Sequence, residues 1–287
     1  MGRPNAGKST LTNALVGSKV AITSGRPQTT RHAIRGIVHR PDAQLIVVDT
    51  PGLHKPRTLL GERLNDIVRA TLSEVDVVCF CVPADQPVGP GDRYLAEELK
   101  RLPRRTPVIA VVTKTDLVSD RDKLGAQLLA VAGLGDWAEV VPVSAVTAHQ
   151  VELLADLLVA RLPEGPPLYP EGELTDEPEQ VMVAELVREA ALEGVRDELP
   201  HSLAVVVEEM IPREGRDLMD VHAIVYVERP SQKAIVIGRG GERLKAVGTQ
   251  ARSAIEKLLG TPVYLDLHVK VAKDWQRNPK QLRRLGF

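Results

Sequence analysis

The 287-residue sequence predicts an α/β domain with a mostly parallel sheet, followed by a small α+β domain. From Ser9 to about Leu162, short β-branched runs such as AQLIVVD, VDVVCFCV and TPVIAVVT alternate with stretches at helical spacing. That alternation is typical of a parallel sheet covered by helices. After Gln180 the pattern becomes helix, strand, strand, helix, Gly-rich turn, helix, strand, which indicates a separate α+β domain.

The segment between these patterns, LPEGPPLYPEGELTDEPEQ, combines Pro, Gly and acidic residues without apolar periodicity. Such a segment buries too little apolar surface to fold by itself. We therefore predict a first domain over residues 1–163, a linker over 164–180 and a second domain over 181–287.

The net charge of −1 is the sum of opposed blocks. Residues 164–198 carry eleven acidic and two basic side chains, whereas residues 270–287 carry six basic side chains and one acidic. The carboxyl-terminal third is therefore locally cationic, which favours an anionic partner.

No uncharged apolar run of about 18 residues occurs, and the start MGRPNAGKST lacks the order of a secretory signal. Cys79 and Cys81 lie two residues apart in an apolar run, a spacing unsuited to a structural disulfide. We expect a cytoplasmic protein with two buried thiols, and we disfavour a metal site at these cysteines because no His or further Cys lies nearby.

Residues Gly2–Ser9, GRPNAGKS, fit the pattern of a phosphate-binding loop. Glycines in such a loop let backbone N–H groups close around phosphate oxygens at a helix N-terminus. We predict that Lys8 contacts the β and γ phosphates and that Ser9 binds magnesium. For this motif alone, a coincidental glycine-rich turn is the alternative.

Two further motifs each follow an apolar run. Asp49 opens DTPG at the predicted carboxyl end of a strand, where ligands bind in open α/β sheets. We expect Asp49 to hold magnesium through water and the Gly52 N–H to meet the γ phosphate. Asp116, in TKTD, offers a carboxylate that accepts from both N1–H and the exocyclic amine of guanine. Although either aspartate alone could be a solvated turn residue, the three motifs in this order predict GTP or GDP.

The segments GRPNAGKSTL, QTTR, DTPG, TKTD and VSA together resemble the five nucleotide motifs of the Era group of translation-factor-type GTPases. The resemblance implies that Thr30, in preference to Thr29, closes on magnesium, and that Lys114 packs its stem over the base. It implies a nucleotide site made of Gly2, Asn5, Ala6, Gly7, Lys8, Ser9, Thr10, Asp49, Gly52, Thr113, Lys114, Asp116, Ser144 and Ala145. Within it, Ser9, Thr30 and Asp49 would hold the metal, and Lys8, Thr30 and Gly52 would serve catalysis.

Several positions are notable within this resemblance. Thr113 stands where the family pattern has Asn, so we expect weaker nucleotide binding. Leu53 occupies the position where Ras-type enzymes orient water with Gln, which predicts slow turnover. Relatives with Asn at the position of Asn5 bind potassium, which implies a potassium site here. His54 is interpreted as a solvent-exposed loop residue rather than a general base.

In the second region, Gly238-Arg239-Gly240-Gly241 lies between two helical stretches and resembles the GXXG loop of type II KH domains. That loop clamps the backbone of single-stranded RNA, although a simple turn is the alternative. We expect Ile235, Val236 and Ile237 to form the floor under the bases. The expected RNA-binding residues are Ile237, Gly238, Arg239, Gly240, Gly241, Arg243, Lys245, Trp275, Arg283 and Arg284.

The tail VKVAKDWQRNPKQLRRLGF also resembles the carboxyl terminus of the Era group. Trp275 is expected to stack on a base while basic residues neutralise phosphates, the alternative being a solvated helix end. The resemblance implies binding to the 3′ region of small-subunit (16S) ribosomal RNA during maturation of the small ribosomal subunit. We expect the chain to be a monomer.

A phosphate-binding loop normally follows a central strand, but only Met1 precedes Gly2. The sequence therefore predicts a sheet without its first strand. Either the natural start lies upstream, which we favour, or the chain is a shortened form. In the second case we expect weak nucleotide affinity and a poorly stable first domain, while RNA binding survives.

Two other functions compete with a GTPase that binds RNA. An RNA-binding assembly scaffold with a vestigial nucleotide site is favoured by the missing strand and by Thr113. A GTPase that associates peripherally with the membrane rests on the basic tail, which suits anionic lipid as well as RNA.

Overall fold

The computed structural model describes residues 1–26, 28–53, 56–102, 106–195 and 199–287. The chain divides into two compact units. The first unit contains Met1–Thr23, Thr30–Lys55 and Leu64–Asp176; the second contains Ser24–Thr29, Pro56–Arg63 and Glu177–Phe287. The sequence did not predict that two short segments from the amino-terminal half would group with the second unit.

The elements up to Asp176 alternate between helices and strands, as the apolar runs predict. In chain order they are α1 (Lys8–Val16), β1 (Ile34–His39), β2 (Gln44–Asp49), α2 (Leu59–Glu74), β3 (Val78–Pro83), α3 (Pro90–Leu99), β4 (Val108–Thr113), α4 (Arg121–Ala132), β5 (Glu139–Pro142) and α5 (Val151–Val159). β1 pairs antiparallel with β2, while β3, β4 and β5 form a separate parallel sheet with β4 in the middle. The predicted α/β class is confirmed.

The central strand β4 is buried along its whole length. Successive side chains of a strand point to opposite faces. Ala110 accordingly packs in one apolar cluster with Phe80, and Val111 packs in another cluster with Leu154. A parallel sheet covered on both faces needs this continuous apolar run.

Among the described residues, α1 is the first helix or strand along the chain, and Met1 belongs to no strand. Met1 nevertheless lies beside β3, because the Cys81 backbone N–H donates to the Met1 carbonyl over 2.7 Å. At Gly2 a Cβ atom would lie 2.6 Å from the Cys81 carbonyl oxygen. The glycine therefore permits the loop to start directly against the backbone of β3.

Both cysteines are free thiols on β3. Burial raises the pKa of Cys79 to about 12 and also raises the pKa of Cys81. Since the thiolate is the reactive form, these side chains act as apolar packing groups rather than as nucleophiles.

The segment predicted as a linker runs partly along the first unit. The Ile37 backbone N–H donates to the Leu174 carbonyl over 2.9 Å, and Gly36 forms an isolated antiparallel bridge with Thr175. Backbone pairing of this kind satisfies polar groups without any apolar periodicity. The side-chain pattern of this segment therefore could not predict that its backbone pairs with β1.

The second unit contains the predicted elements in their predicted order, together with two short helices that were not predicted. In chain order the elements are α6 (Glu179–Leu192), α7 (Leu199–Ser202), β6 (Ala204–Pro212), β7 (Met219–Val227), α8 (Pro230–Ile237), α9 (Glu242–Leu259), β8 (Val263–Val271) and α10 (Pro279–Arg284). The two helices that were not predicted are α7 and α10. β6 pairs antiparallel with β7, and β7 pairs parallel with β8. Across the described parts of the chain, no helix has the length and apolar character needed to cross a membrane.

The core of the second unit includes the apolar face of α6. Its residues at helical spacing, Val183, Leu186, Val187, Ala190 and Ala191, are all buried. α6 packs against α9 and β6, so this face covers the inner side of the sheet. The helical periodicity in the sequence thus identified the buried side of α6.

Candidate functional site

The loop Gly2–Ser9 leads directly into α1. Gly7 is the residue before the helix and has a φ of +80°, in the left-handed region that favours glycine. Asn5 is exposed and also has a positive φ, of 61°. The loop therefore presents the free N–H groups at the start of α1, as the motif predicts.

Lys8 points back over this loop. Its Nζ atom donates to the carbonyls of Gly2 and Arg3 over 3.1 and 3.0 Å. Burial lowers the pKa of Lys8, while the negative charge of Asp49 acts in the opposite direction. The ammonium is thus held inside the loop that the motif assigns to phosphate.

Three oxygen-bearing side chains predicted to hold a metal meet beside Lys8. Asp49 Oδ2 accepts from Ser9 Oγ over 2.6 Å and from Thr30 Oγ1 over 3.1 Å, and the two hydroxyl oxygens lie 3.0 Å apart. The Oδ1 atom of Asp49 is buried and has no hydrogen-bond partner among the residues described. Burial raises the pKa of Asp49, whereas the Ser9 hydrogen bond and the Lys8 charge lower it.

The structure also separates the two threonines of QTTR. Thr30 faces Asp49, whereas the Thr29 hydroxyl donates to the Arg26 carbonyl over 2.7 Å. In this arrangement the geometry favours Thr30 over Thr29 as the residue beside a metal.

Gly52 and Leu53 follow the same strand end. A Cβ atom on Gly52 would lie 3.2 Å from the Pro4 nitrogen, so glycine permits close approach to the loop. Leu53 is buried in the apolar cluster around Phe80. It therefore lies in the core and has no group that could orient water. His54 lies outside the described residues.

The residues expected to bind the base surround a cavity. Its volume is about 190 Å³, and its lining includes Gly7, Thr10, Leu11, Thr113, Lys114, Asp116, Leu117, Val143, Ala145 and Val146. Asp116 Oδ1 accepts the Ser144 hydroxyl over 2.6 Å, which fixes the carboxylate at this cavity. Ser144 is therefore a positioning group through its side chain, a role that the resemblance did not give it.

Thr113 takes a specific part in this site. It is buried, and its hydroxyl donates to the Ala6 carbonyl over 2.7 Å. The side chain thus ties the strand end before the base cavity to the phosphate-binding loop. The hydroxyl of Thr113 therefore connects the end of β4 directly to the phosphate-binding loop.

In the second unit the GXXG element connects α8 to α9. Gly238, Gly240 and Gly241 have φ angles of 76°, 60° and 83°. A Cβ atom on Gly238 would lie 2.7 Å from Arg243 Cβ. Arg239 is exposed on this turn, as is Lys245 on the following helix, so two cations border a backbone that only glycine accommodates easily.

Two of the predicted RNA contacts need correction. Val236 is 1% exposed and lies in the core, so it does not form a floor under bases; Ile235 is exposed and Ile237 half-buried. The guanidinium of Arg243 donates to the Ala191 and Glu193 carbonyls over 3.1 and 2.7 Å. Arg243 therefore closes the end of α6, a use that its position in a basic stretch did not indicate.

The expectation that Trp275 stacks on a base is wrong for this structure. Its side chain is fully buried, its ring stacks on Phe287 at 5.6 Å, and its Nε1–H donates to the Ser202 carbonyl over 3.0 Å. Arg283 and Arg284 of α10 are exposed, as predicted. The aromatic residue of the tail is a core anchor, whereas the arginines remain accessible.

Sequence reasoning also missed Arg188 on α6. Its side chain is 1% exposed, pairs with Glu185, and donates to the Thr29 carbonyl. The signal available in the sequence was an arginine with a glutamate three residues earlier in a stretch of helical spacing.

Comparison with known proteins finds relatives along the whole chain. A family model described as 50S ribosome-binding GTPase matches residues 1–114, and a KH domain model matches residues 198–276. GTPase Era of Streptomyces coelicolor is 72% identical, covering 100% of this chain and 93% of the relative. GTPase Era of Mycobacterium avium is 68% identical, covering 100% of this chain and 96% of the relative.

Solved structures give the same result. A crystal structure of Era in complex with MgGDPNP and nucleotides 1506–1542 of 16S ribosomal RNA has a TM-score of 0.95 and 37% identity, covering 99% of this chain and 96% of that one. A variant of Aquifex aeolicus Era bound to GDP.AlF4− has a TM-score of 0.94 and 36% identity, with coverage of 99% and 96%. On these full-length similarities, the chain belongs to the Era family of GTPases.

Proposed function

We propose that this chain binds GTP, hydrolyses it to GDP and phosphate, and binds single-stranded RNA at the 3′ region of small-subunit ribosomal RNA during ribosome maturation. The observation that carries the proposal is the meeting of Ser9, Thr30 and Asp49 beside Lys8, at the N-terminus of α1. A glycine-rich turn that binds no nucleotide would not explain why these three side chains meet beside a lysine.

Selectivity for guanine rests on Asp116. Its carboxylate is fixed by the Ser144 hydroxyl at the edge of the 190 Å³ cavity. A carboxylate accepts from two donors at once, and guanine offers N1–H and an amine on adjacent positions. Adenine offers no such pair, so the site selects GTP over ATP.

The residues around Asp49 fit magnesium. Hydroxyl and carboxylate oxygens are the ligands that magnesium prefers, and it usually takes few of them from the protein. The buried Oδ1 of Asp49, without a hydrogen-bond partner in the described chain, is an acceptor suited to a metal-bound water. When bound, magnesium would neutralise charge on the phosphates, held by Ser9, Thr30 and Asp49.

Hydrolysis breaks the bond between the β-γ bridging oxygen and the γ phosphorus as water attacks in line. Lys8 holds charge at the β and γ phosphates, and the Gly52 N–H donates to the γ phosphate. Because Leu53 is buried and apolar, no side chain at that position orients the water. The intrinsic rate is therefore slow.

Potassium near Asn5 would supply further positive charge. Asn5 is exposed on the loop. The proposal predicts faster hydrolysis in potassium chloride than in sodium chloride of the same concentration, and equal rates would contradict it.

RNA binding rests on the turn Gly238–Gly241 with Arg239 and Lys245. Close approach of the backbone at the glycines suits the sugar-phosphate chain, and the exposed cations suit its charge. The 16S RNA target is proposed from the similar Era complex. We further propose a cytoplasmic monomer, whose exposed Arg283 and Arg284 also permit peripheral contact with anionic membrane lipid.

The test measures GTP hydrolysis and RNA binding on the same preparations. Lys8→Ala should abolish measurable hydrolysis and nucleotide binding, whereas Lys123→Ala, at an exposed lysine on α4, should change neither. Lys245→Ala should weaken RNA binding, and the slope of log affinity against log salt concentration should fall by about 1. Lys257→Ala, at the other end of α9, should change neither the RNA affinity nor this slope. RNA binding without any GTP hydrolysis by the wild-type chain would support an assembly scaffold instead.

A further inference from the structure

Asp92 is a buried acid on the first turn of α3. Its side chain is fully buried, and its Oδ2 atom accepts the Gly89 backbone N–H over 2.9 Å, which caps the helix. Its Oδ1 atom has no hydrogen-bond partner in the ranges that the structure describes. A buried carboxylate in this state depends on a nearby positive charge.

That charge comes from the phosphate-binding loop. Arg3 Nε lies 3.3 Å from Asp92 Oδ1, and the Arg3 side chain is 24% exposed. The contact is a charge pair rather than a directed hydrogen bond, because Oδ1 accepts none. An arginine in a phosphate loop would otherwise be expected to extend into solvent.

The backbone of Arg3 holds the centre of the loop. Its carbonyl accepts Lys8 Nζ over 3.0 Å and the Ala6 N–H over 3.3 Å. The same residue is therefore tied to α3 through its side chain and to Lys8 through its backbone. Gly2, on the other side, is held closely against β3.

We propose that the Arg3–Asp92 ion pair is a positioning device that fixes the first turn of the phosphate-binding loop against α3. The proposal rests on the proposed binding of GTP. With the pair intact, the turn keeps the Lys8 ammonium and the loop N–H groups in place before phosphate arrives. Preorganisation of this kind lowers the free energy cost of binding.

The pair acts on the loop that holds both GDP and GTP. Loss of the pair should therefore lower the affinities for GDP and for GTP by a similar factor, on the order of tenfold, which corresponds to 1.4 kcal/mol. The KM for GTP should rise accordingly while kcat stays within about twofold of wild type, the pattern of lost uniform binding. A general loss of folded protein would instead lower the apparent kcat.

The experiment compares Arg3→Gln, Asp92→Asn and the double variant on the full chain. Asp92→Asn keeps an oxygen that accepts the Gly89 N–H and removes the charge. The matched control is Glu139→Gln, which breaks a pair with Arg161 at 3.1 Å; Arg161 is 21% exposed and its pair does not touch the loop. Fluorescent GDP titration, GTP kinetics and thermal unfolding are measured for each.

Each single variant should lose about tenfold in GDP affinity, the double variant should lose no more than either, and Glu139→Gln should match wild type. Arg3→Lys, which keeps the charge, should lie between Arg3→Gln and wild type. Losses that multiply in the double variant, or GDP affinity unchanged in folded Arg3→Gln, would overturn the proposal.

Two further outcomes are distinguishable. If Asp92→Asn does not fold, the comparison of Arg3→Gln with Arg3→Lys decides, since Arg3 is on a partly exposed loop. If the wild-type chain binds neither GDP nor GTP, the proposed GTPase function fails. If the wild type binds them and the Arg3 variants bind equally well, only the role of the pair fails.

Discussion

The hydroxyl of Thr113 allows a sharp test of how the base cavity is joined to the phosphate loop. Thr113→Val removes the hydroxyl and replaces it with a methyl group of similar size. The hydroxyl is buried and donates to the Ala6 carbonyl over 2.7 Å. A buried hydrogen bond contributes about 1 kcal/mol, and loss of one partner costs about 1–3 kcal/mol.

We expect the free energy of unfolding to fall by about 1–3 kcal/mol in Thr113→Val. GDP affinity should fall about tenfold, since Ala6 lies next to Gly7 in the loop and a loss of 1.4 kcal/mol corresponds to that factor. Urea unfolding and fluorescent GDP titration measure the two quantities. Thr71→Val is the control, because its hydroxyl donates to the Ile67 carbonyl within α2.

The control should leave GDP affinity unchanged. If Thr113→Val binds GDP as tightly as wild type, the hydroxyl does not connect the two parts of the site. Thr113→Asn then provides a second comparison, and tighter GDP binding in that variant would show that the family residue makes a stronger connection.

Three further outcomes follow from the second unit. Gly238→Ala should lower its unfolding free energy by about 1–3 kcal/mol and weaken RNA binding, because φ is 76° and Cβ would lie 2.7 Å from Arg243 Cβ; wild-type RNA affinity would contradict this. Arg188→Met should lower the free energy of unfolding by about 3 kcal/mol, because it removes the buried charge that pairs with Glu185, and urea unfolding measures this loss. Trp275→Phe should destabilise the unit while RNA affinity, measured on the folded fraction, stays unchanged.

The nucleotide motifs were predictable because each combines a local pattern with a position at a strand end. Asp49 and Asp116 both follow apolar runs that form strands, β2 and β4, and ligands bind at the carboxyl ends of strands in open α/β folds. The sequence could only rank Thr30 above Thr29, since both carry the same hydroxyl. The contact between Thr30 and Asp49, nineteen residues apart, distinguishes them in the structure.

The errors have a different physical origin. Trp275 lies in a basic tail, where an aromatic ring resembles a platform for bases, but its ring is buried and its Nε1–H donates to the Ser202 carbonyl, 73 residues away. Arg243 likewise lies in a basic stretch of the sequence, which gives no indication of its contacts with the end of α6. Long-range contacts of this kind leave no periodic signal in the sequence.

The Arg3–Asp92 pair was missed for the same reason. The phosphate-loop pattern leaves the residue after its first glycine unspecified, so nothing in the motif assigns Arg3 a partner. Asp92 follows Pro90 and Gly91, which predicts a helix start and a capping role only. It is the fold that brings the Arg3 guanidinium next to the buried carboxylate on α3.

The selection of guanine by Asp116 is tested most directly by comparing the nucleotide preferences of wild type and of Asp116→Asn. Binding of GDP, ADP and XDP is measured by competition with a fluorescent guanine nucleotide for wild type and by direct titration for the variant. Wild type should bind GDP more tightly than ADP or XDP. Asp116→Asn should lose affinity for GDP and gain affinity for XDP, because the amide donates where the carboxylate accepts. Equal binding of ADP and GDP by wild type, or unchanged GDP binding by Asp116→Asn, would contradict this role of Asp116.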